Sequence, residues 1–139
     1  MDGTTPRWRG VTLVHEMRAR GIPVAIASDN TRDPFYPFGD LDMHEVFRMA
    51  TRILHLDHPS TGWSAAATAV PADIMRLPEA GRLEEGGVAD MVIFQGRNWN
   101  ELMSRPEAAR IVVRGGKQIA STLPAYAELD LGDPHELYM

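Results

Sequence analysis

Cysteine is absent from this chain. That excludes disulfides, thiol nucleophiles and cysteine-ligated zinc, including the zinc deaminase pattern of His-x-Glu followed by Pro-Cys-x-x-Cys. Basic runs are missing too. There are 14 Lys and Arg against 19 Asp and Glu, a formal net charge of −5. A nucleic-acid partner has no electrostatic footing on that balance. No apolar run approaches the ~18 residues of a membrane span. The opening "MDGTTPRWRG" lacks the apolar core of a signal peptide. The expectation is a cytoplasmic protein with neither nucleic acid nor membrane as partner. No His-x-His pair occurs, and nothing resembles a nucleophile elbow. The glycine pairs 86–87 and 115–116 precede or join strands, so they read as turns and not as phosphate loops.

What is present is ordinary globular material, 44% apolar and 24% charged over 139 residues. That length suits one domain or a piece of a larger one. Residues 12–20 place Leu13, Val14 and Met17 on one stripe, and Gly21 follows where a helix-ending glycine belongs. "IPVAIAS", residues 22–28, is continuously apolar, which predicts a strand covered on both faces of a parallel sheet. Over residues 41–56, Met43, Val46, Phe47, Ala50, Ile53 and Leu54 recur at helical spacing, predicting a helix with that stripe inward. Asp42 is its expected cap, with Glu45 three residues on as in a capping box. His44, Arg48, Arg52 and His55 fall on the opposite side. "WSAAATAV" is helical by propensity, and Pro71 is well placed to begin a further short helix. From Glu79 the texture turns to β. Met91–Phe94 reads as a strand, and "ARIVVRGGKQIAST" as a hairpin turning on Gly115 and Gly116. The tail from Leu123 reads as extended or disordered. An α/β region thus runs to about residue 78, with a β region after it.

Candidate chemistry centres on Asp29. A carboxylate at the C-terminal end of a parallel strand lies where α/β proteins put ligands and catalysis. It can bind a metal, accept a proton, or simply cap a turn. "HLDH", residues 55–58, holds three potential ligands but sits at a helix end, where solvation explains it. Trp8, Phe35, Tyr36 and Phe38 could stack on a planar ligand, and core packing of at least two of them is the expectation. One acid and no complete site follow from local chemistry alone.

The stretch "RGVTLVHEMRARGIPVAIASDNTRDPFYPFGDLDMHEVFRMA" resembles the last barrel strand and its surroundings in the cytosine deaminase branch of the metal-dependent amidohydrolase superfamily. "GRLEEGGVADMVIF" is similar to the superfamily's Gly-x-Leu-x-x-Gly-x-x-Ala-Asp-Leu-Val-Ile signature, and "IVVRGGKQIAST" to its closing hairpin. The resemblance implies an α/β fold, the C-terminal piece of a (β/α)8 TIM-like barrel plus strands of a small β-sandwich. Residues 1–78 would carry the seventh helix, eighth strand and eighth helix, residues 79–122 the sandwich strands, and residues 123–139 a tail. It implies hydrolytic deamination of cytosine or a related cyclic amidine or aminopyrimidine, a small nucleobase-like substrate. A divalent iron or zinc ion in the complete enzyme would activate water, with Asp29 as metal ligand and proton acceptor. Asn30 stands where the family usually has a second aspartate facing the pyrimidine, and Phe35 where it has a tryptophan. Asn30 and Phe35 are therefore the implied substrate contacts. The remaining metal ligands and the catalytic glutamate come from upstream segments in the family. The chain alone is expected to hold no metal, to be inactive, and to be able to form a homo-oligomer or associate through unpaired strand edges. The alternative is a non-catalytic β-rich interaction module.

Overall fold

The computed structural model describes residues 10–57, 62–105, 109–120 and 122. The first helix, α1, is Val14–Ala19, shorter than the predicted span. It ends in a Schellman closure. Gly21, at φ +72°, donates to the Arg18 carbonyl at 2.9 Å, and the Ile22 N–H reaches the Met17 carbonyl at 3.0 Å. That left-handed turn carries no Cβ penalty at glycine.

Segment 22–28 corrects the sequence expectation, because it forms no strand. Its bond outside the α1 closure runs from the Ile26 N–H to the Ala66 carbonyl, 3.0 Å. A strand exists through a ladder with a neighbour, and among the described residues no strand lies beside this one. Val24 and Ile26 lean on the core, while Ile22 is 45% exposed. The apolar continuity of "IPVAIAS" fits cover on both faces, which these residues do not supply.

Helix α2 is Met43–Leu54, two residues shorter than expected at each end. Asp42 is its cap, as predicted, accepting from the His44 N–H at 2.9 Å. The buried face differs from the predicted stripe. His44 and Phe47 are buried and Arg48 half-buried, whereas Met49 and Ile53 are exposed. The face in contact is turned by roughly a quarter turn from the apolar stripe. What moves it is packing against the C-terminal region: the His44 ring meets Phe94 at 4.9 Å, Phe47 meets Trp99 at 5.7 Å, and Arg48 Nε donates to the Met103 carbonyl at 2.7 Å.

A 3-10 turn over Trp63–Ala67 runs into α3, Ala69–Ile74, with Pro71 in its first turn rather than at its start. Gly81 lies against this joint at φ +69°, where an added Cβ would fall on the Thr68 carbonyl. The core gathers Val14, Phe47, Leu56, Trp63 and Ala66. Trp63 also takes the edge of His15 at 5.1 Å and the Arg18 guanidinium over its face at 4.5 Å.

The β region is a three-stranded antiparallel sheet in the order β1, β2, β3, with β1 Met91–Phe94, β2 Arg110–Arg114 and β3 Lys117–Ile119. Val92 faces Val112, and Val112 faces Ile119. Gly115 and Gly116 turn the predicted hairpin at φ +55° and +75°, both left-handed as a two-residue turn of this kind requires. Helix α4, Trp99–Ser104, was not expected from the sequence. The predicted tail, residues 123–139, lies outside the described residues. No helix among the described residues is long and apolar enough to cross a membrane.

Candidate active site

Beyond segment 22–28 the chain enters a loop, residues 30–40, that closes on itself. Asp33 is its centre. Its Oδ1 accepts from the Phe35 and Tyr36 N–H groups at 2.8 and 3.0 Å. Its Oδ2 accepts from Asn30 Nδ2 at 2.9 Å and the Thr31 N–H at 3.2 Å. The Asn30 amide, with the backbone N–H groups adding to it against a partial loss of solvation, holds the Asp33 carboxyl below its ordinary 3.8. The Asp33 N–H in turn donates to the Tyr36 carbonyl at 3.2 Å. Arg32 ties the far end, with Nε donating to the Gly39 carbonyl at 2.8 Å and the guanidinium paired to Asp40. Tyr36 and Phe38 meet edge to face at 5.4 Å.

Asp29 begins this turn. It is exposed and sits at φ +62°, a left-handed conformation that aspartate tolerates better than most residues. Asp29, Asn30 and Phe35 all line one open groove of about 810 Å³ between segment 22–28, the loop and the outer stripe of α2. Val46, Met49, Ala50 and Ile53 form its apolar wall. The structure therefore brings all three sequence-predicted residues to one concavity. Phe35 is 85% exposed and free to offer its face. The expectation that two of the four aromatics pack in the core is overturned for those described: Tyr36 and Phe38 are 51% and 65% exposed. The reason is the tight Asp33 turn, which leaves their rings to pair with each other. Trp8 and His58 lie outside the described residues.

Sequence reasoning missed Asp33. The signal was available in "NTRD", where Asx side chains three apart can close a turn on each other. As for a metal, the described residues hold no group of three or more His, Asp or Glu side chains that could bind one. A lone Asp29 does not make a catalytic metal centre, which takes about three protein ligands and an open position.

The model of the amidohydrolase family matches residues 1–120. This chain belongs to that family. A pterin deaminase of Rhizobium rhizogenes is 58% identical over 128 residues, which is 92% of this chain and 29% of that protein. The crystal structure of a 5-methylcytosine deaminase from Klebsiella pneumoniae, liganded with phosphonocytosine, superposes with a TM-score of 0.67 at 28% identity, covering 89% of this chain and 31% of that one. The amidohydrolase chain thus spans under a third of the length of both relatives. Both are deaminases by name. Amidohydrolases of this superfamily generally employ a divalent metal in the complete enzyme.

Proposed function

We propose that this chain supplies one wall of the active site of a hydrolytic deaminase acting on an aminated nitrogen heterocycle. The observation that carries the reading is the convergence of Asp29, Asn30 and Phe35 on one groove. The C-terminal piece of a (β/α)8 barrel, with residues 22–28 as its last strand, fits the exposed flank of that segment. Pterin, a 2-amino-4-oxopteridine, takes precedence over cytosine as the substrate, given the identity to a pterin deaminase. Both carry an amino group on a carbon flanked by ring nitrogen.

The reaction adds water across that carbon and breaks its bond to the exocyclic nitrogen. The water oxygen becomes the product carbonyl. One water proton leaves on ammonia and the other remains on the ring nitrogen. Asp29 is assigned the proton transfer, taking a proton from the attacking water and returning it to the departing amine. Phe35 stacks on the ring, and Asn30 meets its polar edge. The divalent ion of the complete enzyme, iron or zinc, would supply an activated water, and the described residues do not assemble its site.

The test is a chimera in which this chain replaces the matching segment of the Rhizobium rhizogenes pterin deaminase. Ammonia release from pterin is expected, with Asp29→Ala lowering kcat by about 10²–10⁴-fold. Unchanged turnover in Asp29→Ala would remove the proton-transfer assignment.

A further inference from the structure

An amide can donate or accept, so Asn30 facing a substrate leaves open what the substrate presents. The structure narrows that choice. Asn30 Nδ2 is 2.9 Å from Asp33 Oδ2. A carboxylate only accepts. The amide must therefore turn its NH2 toward Asp33, which commits one of its two N–H bonds and fixes the side on which its carbonyl oxygen lies. The opposite rotamer would set two oxygens against each other. Asp33 is fixed for this task by three backbone N–H groups of its own loop, from Thr31, Phe35 and Tyr36.

We infer that Asp33 is a positioning residue which locks Asn30 as a hydrogen-bond acceptor, so that the site selects heterocycles presenting a ring N–H at that edge. This rests on the deaminase reading above. An Asn–Asp pair then offers the substrate what a lone aspartate would, an oxygen that accepts, without a second charge facing the groove. The same carboxylate anchors the Phe35 N–H, so the polar contact and the stacking ring are set from one point. Depression of the Asp33 carboxyl below its ordinary 3.8 is consistent with this role, because the lock then persists at any pH where the enzyme would work.

The reciprocal exchange tests the lock. In Asn30→Asp the two carboxylates face each other and repel. In Asp33→Asn the Asn30 amide is free to turn. In the double exchange Asn30→Asp/Asp33→Asn, the amide at 33 donates to the carboxylate at 30, whose outer oxygen still accepts, while the Thr31 N–H loses its acceptor. The chimera is assayed with pterin and with 3-methylpterin, whose ring N–H is capped. The unmutated chimera should favour pterin by at least about tenfold in kcat/KM. Asp33→Asn should collapse that preference by lowering pterin turnover alone, and the double exchange should restore it in part, the lost Thr31 bond accounting for the shortfall. Equal loss for both compounds with no rescue, or an unchanged preference in Asp33→Asn, overturns the inference. An unmutated chimera that releases no ammonia overturns the deaminase reading instead. The pairing itself is then decided by the side-chain NH2 resonances of Asn30 in the isotope-labelled chain. These should move as acid protonates Asp33 and should lose that response in Asp33→Asn. Resonances indifferent to both would overturn it without reference to turnover.

Discussion

His44 is 9% exposed, lies against Phe94, and makes no well-formed ring hydrogen bond among the described residues, the Leu102 backbone being only a weak neighbour. Burial lowers its basicity below the ordinary 6.5. Asp42 opposes that, Arg110 and Arg48 reinforce it, and the Leu102 backbone opposes it. The unfolded chain therefore takes up a proton before the folded one as pH falls. Stability should be unaffected by this group above about 6.5 and should fall as acid is added through the window between the unfolded and the lowered folded values. Thermal melts at about pH 7 and about pH 5 will show it, and His44→Leu should flatten the dependence. That variant also removes two buried nitrogens left without a well-formed bond among the described residues, so at neutral pH it should hold stability or raise it by about 1 kcal/mol. Asp29 presents the reverse case, a residue held at φ +62° to which the proposed function assigns proton transfer. Asp29→Gly should relieve the backbone and raise stability by about 0.5 kcal/mol while abolishing turnover, in a paired melt and ammonia assay on the chimera. The sequence made Asp29, Asn30 and Phe35 legible as candidates because strand ends and resemblance pointed to them. Asp33 stayed hidden because its work is done through hydrogen bonds to its neighbours' backbone, which no hydrophobic pattern records.

Helix α2 joins the two halves of the described chain. Asp42 caps it and also meets Arg110 Nη1 of β2 at 2.7 Å, so one carboxylate ends a helix and holds the sheet to it. Burial pushes the Asp42 carboxyl up, but the Arg110 guanidinium and the His44 N–H together bring it below 3.8. Its contribution is present above that ordinary value and is lost as pH falls through the lowered one. Asp42→Ala should cost about 1–2 kcal/mol in urea denaturation, combining a lost cap with an unpaired arginine. Gly81→Ala should cost about 2 kcal/mol or more by the same measurement, since its Cβ would strike the Thr68 carbonyl and its φ is positive. Elements with local signals were readable: β1 from its β-branched run, the hairpin from its Gly–Gly turn, and the cap of α2 from Asp42. Helix α4 carried such a signal unread, because Asn98 caps it by accepting from the Glu101 N–H at 2.9 Å while Glu101 accepts from the Arg97 N–H at 3.2 Å. Segment 22–28 could not be settled from its own residues, because a ladder needs a second strand. The buried face of α2 escaped for a related reason: its apolar stripe serves two surfaces, and only one is covered by the described residues.

At the scale of the whole molecule, that uncovered surface is the wall of the groove. Leu41, Met49 and Ile53 are 77%, 56% and 52% exposed there. Isolated apolar residues at a surface are common, but a contiguous stripe marks a face that expects cover. The purified 139-residue chain should accordingly bind an apolar fluorescent dye and release no ammonia from pterin, whereas the chimera should do the opposite in both assays. The loop over residues 30–40 behaves differently from the wall behind it. Asp33, Arg32 and the Tyr36–Phe38 pair close it from within, and none of those bonds reaches the helices. Much of its shape is therefore set from within. Grafted onto a relative's scaffold, such a loop should keep its turn, and the Asp33 bonds to the Phe35 and Tyr36 N–H groups should persist there.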